Sequence, residues 1–194
     1  ILAHPFARSP VTVWLLFFIS QAGLIMTGLA RVHLKLGPWL AGYGFAIAAI
    51  GLFTAGSLAA GRGLRENDFE HSAAFVFFPT IDMVYFAGFL GTAVVYLRRP
   101  DIHKRAIFLA TFSIAVVGLG RLVGRTGIEN PLLWEPLSLA PLLIAIAYDA
   151  FVCRKLYGIM AVGLAVHLVR LNADYFVETE AWLPIGRALI SPFR

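Results

Sequence analysis

The residues best able to do chemistry lie where charge is least expected. Asp82, Asp149, Arg121 and His167 sit inside long apolar stretches, and Arg170 lies near the end of another. An ionisable side chain in such a setting is costly and is normally paired, so each is a candidate functional group. Asp82 falls about seven residues into its stretch, ~10 Å along a helix at 1.5 Å per residue. Arg121 falls at a comparable depth counted from the same end. Arg121 and Arg125 are four apart and share one helix face, and Arg170 and Glu135 belong to the same layer. Two readings stay open. One is an interhelical ion pair that fixes packing. The other is a site in which the arginines hold an anion, a quinone or the propionates of a haem.

The histidines form a second set. His33 and His103 stand at the starts of two apolar stretches, on the side where Asp149 follows Tyr148. A carboxylate beside an imidazole orients the ring and prepares it for proton transfer or metal binding. The simpler reading is two helix-start histidines at headgroup level and a satisfied aspartate. His71 precedes the third apolar stretch and His167 lies about ten residues into the sixth. Membrane b-type cytochromes hold haem b between histidines on facing helices. His71 and His167 would make such a pair if the third and sixth stretches are neighbours; otherwise His167 reads as an interhelical hydrogen bond. No H-x-x-x-H, H-E-x-x-H or C-x-x-C spacing occurs, so no metal motif is read. No Walker loop, dinucleotide fingerprint, G-x-S-x-G or paired catalytic carboxylates occur either. No catalytic residue is assigned.

The elements that must position these groups follow from composition. Only 14% of the 194 residues are charged and 59% are hydrophobic, against roughly 25% charged in soluble domains. With a mean hydropathy of +0.79, the chain reads as an all-α integral membrane protein. A disordered chain and a nucleic-acid binder are excluded, and the net charge of +5 is assigned to loops facing anionic lipid. Cys153 is the lone cysteine, so no intrachain disulfide forms. A spanning helix needs about 20 mainly apolar residues. Six stretches are expected to span, at about 11–30, 38–60, 73–97, 105–123, 137–152 and 157–171, with 178–194 as an interfacial tail. Runs such as FAIAAIGLFTAGSLAA do not alternate, which excludes a β-barrel. Gly51, Ala55 and Ala59, four apart, predict a close helix neighbour. Trp14, Trp39 and Trp134 fall near span ends, where an amphipathic ring suits the membrane–water boundary.

Charge sets the expected orientation. The turns after the first, third and fifth stretches carry Arg31, Lys35, Arg98, Arg99, Lys104, Arg105, Arg154 and Lys155 against the single acid Asp101, whereas arginines and acids balance on the other side. The basic turns are therefore placed in the cytoplasm and both termini outside. A weak internal repeat sets His33, His103 and Tyr157 at corresponding starts of the even-numbered helices, which points to three helical hairpins in series.

These motifs carry a resemblance. RVHLKLG after the first stretch, Pro79-x-x-Asp82 in the third, RRPDIHKRAIFLAT before the fourth, AYDAFVCRKL in the fifth, and Arg170 followed by TEAWLPIGRAL resemble a group of uncharacterised bacterial multi-pass membrane proteins over residues 30–190. Tyr157-Gly158 stands where that group often has His-Pro, and Leu168-Val169 where it often has Gln-Pro. A histidine ligand at the first place in relatives would be lost here. The resemblance implies a topology and an inner-membrane location, without an activity. The expectation is a non-enzymatic accessory subunit or small-ligand-binding protein with lipid and other membrane subunits as partners. A haem b or quinone electron-transfer protein and a small transporter are the alternatives.

Overall fold

The computed structural model describes residues 10–125, 131–175 and 177–193, and the side chains of these outside 120–135. Every regular element among them is helical: α1 (Pro10–Met26), α2 (Ala30–Glu66), α3 (Phe69–Phe75), α4 (Phe77–Val95), α5 (Pro100–Arg125), α6 (Pro131–Phe151), α7 (Gly158–Leu171) and α8 (Leu183–Ile190). The six expected stretches all fall on helices. Three helical segments are long and apolar enough to cross a membrane: Ala30–Glu66, Phe69–Val95 and Pro100–Leu119. The apolar helical segments Pro10–Met26, Pro136–Phe151 and Gly158–Leu171 are shorter, the last having 14 residues, about 21 Å at 1.5 Å per residue.

Two boundaries differ from expectation for identifiable reasons. The stretch RVHLKLGP, expected to separate two helices, forms the first turns of α2, which runs for 37 residues, about 55 Å. Arginine, leucine and lysine are good helix formers, so charge here marks a change of surroundings and not a helix end. Pro38 lies within the helix. The true boundary is the turn before it. Gly28 adopts a left-handed φ of 77°, Leu29 N–H bonds the Leu24 carbonyl at 2.8 Å and Gly28 N–H that of Ile25 at 3.1 Å, a Schellman closure that a side chain at Gly28 would disfavour. The second difference is a break at Val76 inside the expected third span. Pro79 has no N–H for the Phe75 carbonyl and its ring crowds that oxygen, so α3 ends there and α4 restarts.

The core is built where small residues let helices close. Trp14, at the fifth residue of α1, is buried at 4% exposure among Ile47, Phe86, Leu90 and Ile114. Its ring meets Phe86 edge-on at 5.0 Å and its Nε1–H donates to Thr111 Oγ1 at 3.2 Å. A Cβ on Gly44 would sit 2.7 Å from that indole, which is why α1, α2 and α4 can meet. Trp39 is exposed and Trp134 lies outside the described side chains. On α2, Gly51 faces Met83 of α4, and Ala55 and Ala59 join the cluster under α8, so the small-residue stripe is an interface with two neighbours. α6 and α7 both pack on α5.

The tail docks on the bundle. Ile190 is fully buried with Ala55, Ala60, Ala73 and Val76, Trp182 Nε1–H donates to the Ala73 carbonyl at 2.9 Å, and Arg187 pairs with Glu70. The hydrogen bonds that its guanidinium donates to that exposed carboxylate raise the Arg187 pKa above its ordinary value. Gly186 lies against the Ala73 carbonyl so closely that any Cβ would overlap it. Gly186→Val is therefore expected to lift α8 off α3, at a cost of about 1–3 kcal/mol for overpacking. Faster proteolysis between Asn172 and Leu183 and a lower unfolding temperature in detergent would be the readout.

Candidate functional site

The polar groups of the interior are gathered by α4, α5, α6 and α7. Asp82, at 2% exposure, lies at the sixth residue of α4. Arg170 of α7 reaches it through two hydrogen bonds, Nε to Oδ1 at 2.5 Å and Nη2 to Oδ2 at 3.1 Å. The parallel pair uses the fork of the guanidinium and fixes orientation as well as charge. Arg170, which lies in the same expected layer, is thus a partner of Asp82; the expected meeting of Asp82 with Arg121 falls outside the described side chains. Arg121, Arg125 and Glu135 lie outside the described side chains. One turn before Arg170, His167 is buried. Its Nε2 lies 3.3 Å from Ser138 Oγ of α6 and its ring 5.1 Å from that of Phe112 of α5. This is the interhelical hydrogen bond named as the simpler reading.

A small cleft runs between these groups, lined by Asp82, Tyr85, Phe112, His167 and Arg170 among others, with a volume of about 10 Å³. That is room for about one water molecule. Gly163 makes the close approach of α7 to α5 workable, since a Cβ there would run into Leu109.

The second buried charge pair decides between the two readings of Asp149. Its carboxylate is satisfied away from the imidazoles by Arg105 of α5, with Nε to Oδ2 at 2.7 Å and a second bond from Nη2 to Oδ1. Arg105 also donates from Nη1 to the Asp101 carbonyl at 2.7 Å, and its guanidinium carbon lies 3.4 Å from the centre of the Tyr157 ring. Arg105 was counted as a turn cation. The available signal was Asp149 itself, an acid inside an apolar stretch that demands a cation at the same depth.

The histidines separate. His33 and His103 come together, ring centres 6.4 Å apart and nearly perpendicular. His103 Nδ1 lies 2.9 Å from the Ala93 carbonyl, one of the last α4 carbonyls that the helix leaves unpaired. His71 and His167 do not form a ligand pair. His71 sits in the first turn of α3, its N–H capped by Asp68 Oδ1 at 2.9 Å and its ring 4.4 Å from Phe75. It precedes Asp82 by 11 residues, on the order of 16 Å along a helix, while His167 lies beyond the Asp82 level on the far side. No group of three or more His, Cys, Asp or Glu positioned for a metal occurs among the described residues.

Comparison with family models, with curated proteins and with solved structures finds no match for this chain.

Asp82→Asn is expected to destabilise the protein by about 3–5 kcal/mol, the usual consequence of leaving a buried cation uncompensated. Replacing both partners, Asp82→Leu with Arg170→Met, is expected to restore most of that loss. A double-mutant cycle of unfolding in micelles checks this; additive single effects would show that the pair is not coupled.

Proposed function

We propose that this chain is a multi-pass integral membrane protein that acts without catalysis, as an accessory subunit or small-ligand-binding member of a larger membrane assembly. The observation that carries the reading is the state of the interior arginines whose side chains are described. Arg170 and Arg105 are each taken up bidentately by a buried aspartate, and the cleft beside Arg170 admits about one water molecule. Arginines so engaged are not poised to receive a propionate or a quinone carbonyl. A haem b or a quinone held by Arg170 would require the α4–α7 pair to open.

The membrane part of the reading is supported by the exterior. Ile50, Phe53 and Leu58 on α2 and Ile144 on α6 are each more than half exposed, although water-soluble monomers rarely present continuous apolar surface of this kind. In this reading six helices span, with the shorter α1 and α7 met by local thinning of the bilayer. The basic turns face the cytoplasm, both termini lie on the periplasmic side of a bacterial inner membrane, and the partners are lipid and neighbouring membrane subunits. The motif resemblance over residues 30–190 agrees with this arrangement.

Two measurements test the proposal. The protein purified from cells supplied with haem is expected to show no Soret band and to yield no stoichiometric quinone on solvent extraction; either cofactor at one per chain would replace this reading with electron transfer. An impermeant amine label applied to intact inside-out vesicles is expected to reach both Lys35 and Lys104. Labelling of only one of them would break the six-span topology.

A further inference from the structure

We propose that His33 and His103 form a two-imidazole binding site for a copper-class transition-metal ion at the turn-bearing end of the bundle. The site is independent of the arginine pairs and goes beyond the function proposed above. His33 belongs to the first turn of α2 and His103 to the first turn of α5. They are 70 residues apart in the chain, yet their ring centres lie 6.4 Å from each other. Two imidazoles bound to one ion at about 2.0–2.1 Å put their ring centres roughly 5–6.5 Å apart, depending on the N–metal–N angle. The observed separation falls at the wide-angle end of that range.

The hydrogen bonding prepares the rings for this. His103 Nδ1 is held by the Ala93 carbonyl at 2.9 Å. A carbonyl only accepts, so Nδ1 carries the proton and Nε2 keeps its lone pair. That is the arrangement in which histidine ligands are usually oriented, with the second nitrogen donating to a backbone carbonyl. His33 supplies the complementary feature. Its Nδ1 is buried and has no hydrogen-bond partner among the described residues, a costly state for a polar atom that an ion bound at Nδ1 itself would offset. Both histidines are half-buried, so an ion can reach them and solvent can complete its coordination.

The chemistry selects the ion. Neutral imidazole suits copper, zinc and nickel, and copper binds most tightly in the divalent series. A bound ion would tie the first turn of α2 to α5, while α2 otherwise packs chiefly on α1, α3, α4 and α8.

The test uses the full chain in detergent, free of any polyhistidine tag and treated with chelator. Titration with Cu²⁺ is expected to fill a single site per chain, with an electron paramagnetic resonance spectrum showing two imidazole nitrogens on copper and with Zn²⁺ as the weaker competitor. His33→Gln and His103→Gln are each expected to weaken binding by about tenfold or more, and His4→Gln and His71→Gln to leave it unchanged. Equal affinity in wild type and in either ligand variant would overturn the site, as would a wild-type spectrum with no or only one coordinated imidazole. The spectrum decides the matter from wild-type protein alone if a variant fails to fold.

Discussion

The arrangement of the inner helices depends on the rule that a charge removed from water must meet its opposite. Apolar contacts between helices are non-directional and tolerate sliding. A bidentate Asp–Arg pair does not, because both oxygens and two guanidinium nitrogens must be satisfied together. Asp82–Arg170 sets the height of α7 against α4, and Arg105–Asp149 sets α6 against α5. With those two heights fixed, His167 meets Ser138 and Phe112, and Tyr157 lies on the face of the Arg105 guanidinium. Such pairs contribute less to net stability than to specifying one register, since well-packed apolar residues would hold the helices as firmly.

The two ends of the bundle are built differently. At one end the turns at 27–29, 96–99 and 152–157 gather, and side chains bridge them: His33 against His103, His103 on the last turn of α4, Tyr157 on Arg105. The weak internal repeat acquires a structural meaning there, because its three corresponding positions, His33, His103 and Tyr157, all lie in this cluster of contacts. At the other end α3 and α8 cover the far part of α2, with Gly56 and Gly186 as the points of close approach.

Much of the fold was legible in the amino-acid order because apolar length and helix propensity are local properties. Each of the six apolar stretches is helical, and the stripe of Gly51, Ala55 and Ala59 lies at an interface. What local pattern hides is partnership. Asp82 announces that it needs a cation, but that Arg170, 88 residues on, reaches it depends on α7 lying beside α4, and neighbour relations are long-range. For the same reason the partner of Asp149 stays open in the sequence, where Arg105 looks like one more basic turn residue. Boundaries were misplaced where two signals compete. In RVHLKLGP the charges imply a loop and the propensities a helix, and propensity prevails. In FVFFP the apolar run implies continuity and Pro79 a break, and the missing N–H prevails.

The hydrogen bond from Trp182 to the Ala73 carbonyl joins residues 109 positions apart. A ribosome adding roughly 5–20 residues per second therefore exposes α3 for several seconds before the segment that covers it exists. Over that interval Ala73, Ala74 and Val76, all buried in the finished protein, have only α2 and α4 to lie against. α8 acts as a latch closed after the bundle has assembled, so a chain released before α8 is made would present an uncovered seam to the cell's proteases.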